Sequence, residues 1–151
     1  MRPSPSRGAR AARGVRGDGS FVRAQISDQK YAFPTGYDLI YCRDALMHLP
    51  NRLVHQALRN LACSDAAHVL IGSDESATGR GHNRDINTGD WRPLSLKLRP
   101  FRLRPERVFL ENVDDRPKLS LFLFKAQSLR EQLHADCARL NGGLHERPKA
   151  L

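Results

Sequence analysis

The stretch from Tyr37 to Ile71 constrains the fold more than any other part of the chain. Tyr37-Asp38-Leu39-Ile40-Tyr41-Cys42 is short and nearly continuous in apolar character. Such a run fits a strand buried on both faces, as in a parallel sheet. Leu53, Val54, Ala57, Leu58 and Leu61 then recur at helical spacing and form one apolar face. Pro50 and Asn51 open this helix, with Asn51 as the expected N-cap, and Ser64 and Asp65 close it. Val69-Leu70-Ile71 is the centre of the next buried strand. Strand, helix and strand in so short a span predict a βαβ unit, a parallel pair joined by a crossover helix.

The flanks carry further elements. Phe21 to Ile26 is a short strand candidate, and Tyr31 to Gly36 is a loop broken by Pro34 and Gly36. Arg107 to Asn112 and Leu119 to Lys125 read as two strands. Asp114, Asp115 and Pro117 between them make an antiparallel hairpin the expected arrangement. Ser128 with Glu131 is a capping-box pattern, and Leu129, Leu133, Cys137 and Leu140 extend an amphipathic helix over 128–141. Asn141-Gly142 stops it, and 142–151 is a tail. Residues 73–105 are long, polar and punctuated by Gly and Pro, without clear periodicity. A compact domain keeps such a stretch as a lid or binding loop.

A length of 151 residues allows one domain and excludes a complete doubly wound cofactor enzyme of ordinary size. No apolar run approaches the ~20 residues of a membrane span, so no membrane association is expected. Cys42, Cys63 and Cys137 are odd in number and far apart. They predict neither a disulfide framework nor a CxxC metal pair, and so a reducing, cytoplasmic setting. The net charge of +9 is unevenly placed. Arg2, Arg7, Arg10, Arg13, Arg16 and Arg23 face a single acid, Asp18, and a second basic block spans 80–107. Residues 1–19 are rich in Pro, Gly, Ser and Arg and read as a disordered tail. A transit peptide, which would make the chain organellar, and a basic arm for nucleic acid or anionic lipid are the alternatives. Arg99, Arg102, Arg104 and Arg107 surround Phe101 and Leu103. Arg with aromatics can hold single-stranded nucleic acid, but aromatics are few here. A solvated loop edge is the expected reading, and nucleic acid is not the expected partner.

The order buried strand, helix, buried strand, long loop, antiparallel hairpin resembles the later half of a class I S-adenosylmethionine-dependent methyltransferase. That family's mostly parallel seven-stranded sheet ends in such a hairpin. Residues 37–50, YDLIYCRDALMHLP, look like the fourth strand and following turn, where the family writes DLIxCRDxLxHL. Ala57-Leu58-Arg59-Asn60-Leu61 resembles the next helix, and His68 to Ser73 the fifth strand. Residues 83–96, NRDINTGDWRPLSL, resemble an NxDIxxGxWRPLNL insertion of one subgroup, continued by Pro100-Phe101. The resemblance covers roughly residues 20–130. It implies an α/β fold, a partial Rossmann-like methyltransferase sheet over 20–127, with 73–105 as a substrate-side loop. It implies S-adenosylmethionine as cofactor and a small-molecule substrate. Asp44 and His48 would lie near the reacting centre, and Arg43, Asn83, Asp85, Trp91 and Arg92 would shape substrate access. Each has a plainer reading: local turn contacts for Arg43 and Asp44, packing or capping for His48, and loop anchoring for Trp91-Arg92-Pro93.

The departures concern the cofactor. The family holds it at a Gly-rich turn after the first strand and on an acidic residue ending the second. Neither element is in this sequence. Gly14 to Ser20 is Gly-rich but follows no apolar strand and opens no helix. Gln25 stands where the family usually has Asp near the adenine. The expected molecule is therefore a remnant of at most five strands, marginally stable alone. Strand 37–42 would be an apolar edge open to a protein partner or to self-association. Three functions follow: a methyltransferase domain incomplete on its own, a non-catalytic or partner-completed remnant, and a basic nucleic-acid-binding protein.

Overall fold

The computed structural model describes residues 25–28, 33, 35–76, 81–111 and 119–138. Its elements are β1 (Leu39–Cys42), a 3-10 turn (Leu46–His48), α1 (Asn51–Ala62), β2 (His68–Asp74), β3 (Arg107–Glu111), β4 (Leu119–Lys125) and α2 (Ala126–Leu133). The strands form one sheet in the order β1-β2-β4-β3. β1 runs parallel to β2, with Ile40 opposite Val69 and Cys42 opposite Ile71. β4 lies between β2 and β3 and is antiparallel to both.

Period-two alternation divides the sheet into two unlike faces. Cys42, Val69, Ile71, Ser73, Ser120, Phe122 and Phe124 are buried on one of them. Val54, Ala57, Leu58 and Leu61 of α1 and Ala126, Leu129 and Leu133 of α2 belong to the same core. Full burial of one such leucine contributes about 2 kcal/mol. The other face carries Leu39, Tyr41 and Phe109, all exposed. Leu70, Leu121 and Leu123 share that face and are half-buried. The expectation that 37–42 is buried on both faces is therefore corrected. β1 is an edge strand, and no helix among the described residues covers its outer face.

The long loop is also not the polar lid its composition suggests. Leu94, Leu96, Phe101 and Leu103 are core residues. Backbone hydrogen bonds hold them in place without regular structure: Asp74 to Leu94, Leu103 to Leu96 and Phe101 to Leu98. Its arginines Arg99, Arg102 and Arg104 stay exposed around buried Phe101 and Leu103.

The cysteine expectation fails outright. Cys63 and Cys137 form a disulfide, with Cα atoms 5.3 Å apart and 74 residues between them in sequence. Cys63 is the C-cap of α1. α2 ends at Leu133 rather than 141, because His134 adopts the left-handed conformation (φ 47°) that stops a helix. Cys137 thus lies beyond the helix and bonds the end of α1. Arg130 reinforces that junction by donating from Nε and Nη2 to the Ala62 carbonyl at 3.3 and 3.2 Å. Ser128 makes no cap, since Lys125 is the N-cap residue and Ser128 Oγ accepts from Gln132.

Of the strand expected over 21–26, residues 21–24 lie outside the described residues, and Gln25 to Asp28 form a turn closed by Asp28 N–H to Gln25 O. Asn60, buried on α1, pins it by donating to the Ile26 and Asp28 carbonyls at 2.7 and 2.8 Å. The tails at 1–19 and 142–151 and the Asn141-Gly142 stop also lie outside the described residues. Among the described residues no helix is long and apolar enough to cross a membrane.

Candidate functional site

In open α/β sheets ligands bind beyond the carboxyl ends of parallel strands. Arg43 and Asp44 occupy that position after β1. Asp44 has a left-handed backbone, φ 54°, which few residue types other than Gly, Asn and Asp tolerate. Arg43 Nε lies 3.3 Å from Asp44 Oδ2, and Arg43 Nη2 lies 2.8 Å from Glu111 Oε2. The second approach is an ion pair without hydrogen-bond alignment. Since Glu111 ends β3, one guanidinium bridges the carboxyl edge of the sheet from its first strand to its last.

Next comes the 3-10 turn, whose Leu46 is buried and whose His48 is exposed. The loop packs against this turn. His48 Nδ1 is 3.1 Å from the Asp90 carbonyl, and Gly89 N–H donates back to His48 O at 3.0 Å. Trp91 is 56% exposed, with its indole N–H on Met47 Sδ at 3.2 Å. Arg92 is fully buried. Its Nη1 donates to Met47 O at 3.2 Å and its Nη2 to Asn51 Oδ1 at 2.8 Å. Burial lowers the Arg92 pKa, and the Asp85 charge partly offsets that.

Asn51 does not cap α1 as the sequence suggested. Its side chain faces Arg92, and its own backbone N–H donates to Asp85 Oδ1 at 2.7 Å. That hydrogen bond, foremost, holds the Asp85 carboxyl below its ordinary pKa, aided by Ile86 N–H and by Arg92 and Arg52. Asn83 is buried further along the loop. It donates to the Ser95 and Arg99 carbonyls at 2.8 and 3.0 Å and accepts from Ser95 N–H at 2.9 Å.

The structure thus brings His48, Asp85, Trp91 and Arg92 together around residues 46–51. It sets Arg43 and Asp44 apart as a pair, and places Asn83 within the loop's own scaffold. A shallow hollow of about 350 Å³, lined by Arg84, Asp85, Ile86, Asn87 and Asp90, opens beside the cluster. Glu111, Met47 and Asp90 are participants that sequence reasoning missed. Glu111 alone carried a signal, as an acid closing the apolar run Val108-Phe109-Leu110. Asp44, His48, Asp85 and Asp90 are all exposed. Among the described residues no group of His, Cys, Asp and Glu could hold a metal ion. Comparison with protein-family models, curated proteins and solved structures gives no match.

Proposed function

We propose that this chain carries the substrate-side half of an S-adenosylmethionine-dependent methyltransferase domain, acting on a small molecule and incomplete on its own. The observation that carries the reading is the sheet itself. A parallel pair, with Arg43 and Asp44 at its carboxyl end, is continued by an antiparallel hairpin. Among the described residues its first strand is an open edge bearing exposed Leu39 and Tyr41. Parallel strands are ordinarily covered on both faces. A bare face continuous with an open edge is where a missing layer belongs.

The described residues do not by themselves fit the cofactor. None of Gly36, Gly72, Gly81 and Gly89 lies in a turn that joins a strand to a helix. Cofactor binding falls to the missing side. Asp44 and His48 would meet the acceptor, with Trp91 at the rim. A non-catalytic remnant is the second reading. It is favoured by Asn83, Asp85 and Arg92, since the Asn83 amide, Asp85 Oδ1 and the two terminal nitrogens of Arg92 hold the loop, although Arg92 Nε is buried without a partner. The cytoplasmic expectation rested on unpaired cysteines, and the Cys63–Cys137 bridge favours an oxidising compartment instead.

Calorimetric titration of the full chain with S-adenosylhomocysteine tests this reading, alongside binding of an apolar fluorescent dye. The expected result is no cofactor heat and strong dye binding. Micromolar S-adenosylhomocysteine binding would overturn the incompleteness while keeping the family. Sharp unfolding of a dye-silent monomer would overturn the missing layer.

A further inference from the structure

We propose that the outer edge of β3, with the basic hollow beside it, docks an extended acidic peptide that adds to the sheet as a further strand. Nothing in this rests on the methyltransferase reading. β3 is the last strand of the sheet and pairs only with β4, so its outer edge is open among the described residues. Edge strands are ordinarily blunted by Lys, Pro, bulges or cover. Here the middle of the edge is Val108, Phe109 and Leu110, exposed by 42%, 47% and 66%.

A hollow of about 540 Å³ adjoins it, lined by Lys97, Arg102, Leu103, Arg104, Pro105 and Val108. Val108 belongs to both features. Arg102 is held in a left-handed backbone, φ 53°, between buried Phe101 and Leu103, which turns it outward. Lys97 is already paired with Glu75 at 3.2 Å. Arg102 and Arg104 make no ion pair among the described residues, and no carboxylate lines the hollow. The two acids flanking β3 are both occupied, Glu106 by Lys125 and Glu111 by Arg43. The edge is therefore apolar along its middle and cationic at one side.

Main-chain pairing would give such a peptide its affinity, as in other strand additions. Its carboxylates, on the face of Val108 and Leu110, would reach Arg102 and Arg104, and the apolar side chains alternating with them would lie along Phe109 on the opposite face. Single-stranded nucleic acid suits the site less well. Phe101 is buried, and Phe109 faces the opposite side of the sheet from Val108, so no aromatic platform stands beside the arginines.

The test uses the full chain and a fluorescent peptide of about eight residues alternating Glu and Val, matched to strand length. Controls are an equal-length Glu-Pro peptide and an oligothymidylate of about twelve nucleotides. The Glu-Val peptide should bind, more weakly at high salt, and slow amide exchange across residues 107–111. Arg102→Glu with Arg104→Glu should weaken it by about tenfold or more without moving the unfolding curve. Equal binding of the Glu-Pro peptide would reduce the site to charge alone and overturn strand addition. Tighter binding of the oligothymidylate, or no Glu-Val binding, would overturn the proposal too.

Discussion

The Asp85 carboxylate accepts the backbone N–H of Asn51 at 2.7 Å, across 34 residues of sequence. The first N–H groups of a helix have no partner within it. α1 has no side-chain cap at Pro50, so a loop residue supplies one from outside. The negative charge also suits the positive end of the helix dipole. Loop and helix are thereby coupled.

Asp85→Ala should therefore destabilise the fold by about 1 kcal/mol, the ordinary worth of a helix cap. The folded carboxyl is held below its unfolded pKa, so its contribution is present above the unfolded pKa and is lost as pH falls through the folded one. Solvent screening keeps the effect small, since the group is exposed. Urea unfolding of both proteins from neutral to acid pH should show the wild type losing its advantage toward the acid end. A constant gap across that range would refute the cap.

Asn83 should behave as scaffold. Its amide satisfies two carbonyls and one N–H, all inside the loop. Asn83→Ala should cost roughly 2–4 kcal/mol, because buried partners are left unpaired. Asn83→Asp should be no better, since it sets an acceptor against two carbonyl oxygens. Denaturant midpoints decide this. An unchanged midpoint for either variant would return Asn83 to a role in binding.

These two residues also show what was legible. β2, β4 and α1 could be read from the chain because their apolar residues keep a period over a full element. The loop core could not: Leu94, Leu96, Phe101 and Leu103 are placed by individual hydrogen bonds that leave no period behind. Cys137 aligned with Leu129 and Leu133 at helical spacing, and a left-handed His134 between them undid that alignment. Asp85 and Arg92 stood out through the family resemblance. What they touch, Asn51 and Met47, sits on another element, and sequence spacing does not show contacts of that kind.

Removing the Cys63–Cys137 bridge should be costly. It closes a loop with a sequence separation of 74, for which chain-entropy reasoning gives about 4 kcal/mol. Both sulfurs belong to half-buried residues, so a soluble dithiol should reach them. Melting should shift sharply downward with reductant, and Cys63→Ser should show no further shift when the reductant is added. A melt indifferent to reductant would show that the bridge contributes nothing.

Cys42 should be the unreactive thiol. It is buried on the helix-covered face of β1, and burial pushes its pKa up to about 11. Thiolate is the reactive form, so alkylation near neutral pH should be very slow in the native protein. Mass spectrometry after iodoacetamide should find no label on Cys42 until denaturant is present. Fast native labelling would mean that the β1 edge opens readily.

The bare face of β1 yields the last prediction. Leu39 and Tyr41 are 47% and 51% exposed, on the side of the sheet that neither α1 nor α2 covers. Lysine on an edge strand discourages strand-to-strand association, and its stem can lie along the neighbouring apolar surface. Leu39→Lys with Tyr41→Lys should reduce self-association in sedimentation and weaken dye binding. Stability should change by no more than about 0.5 kcal/mol for each exposed site. Where the pair instead unfolds the chain, these side chains are part of its core. Where association persists unchanged, the contact lies elsewhere, and the open β3 edge becomes the surface to block.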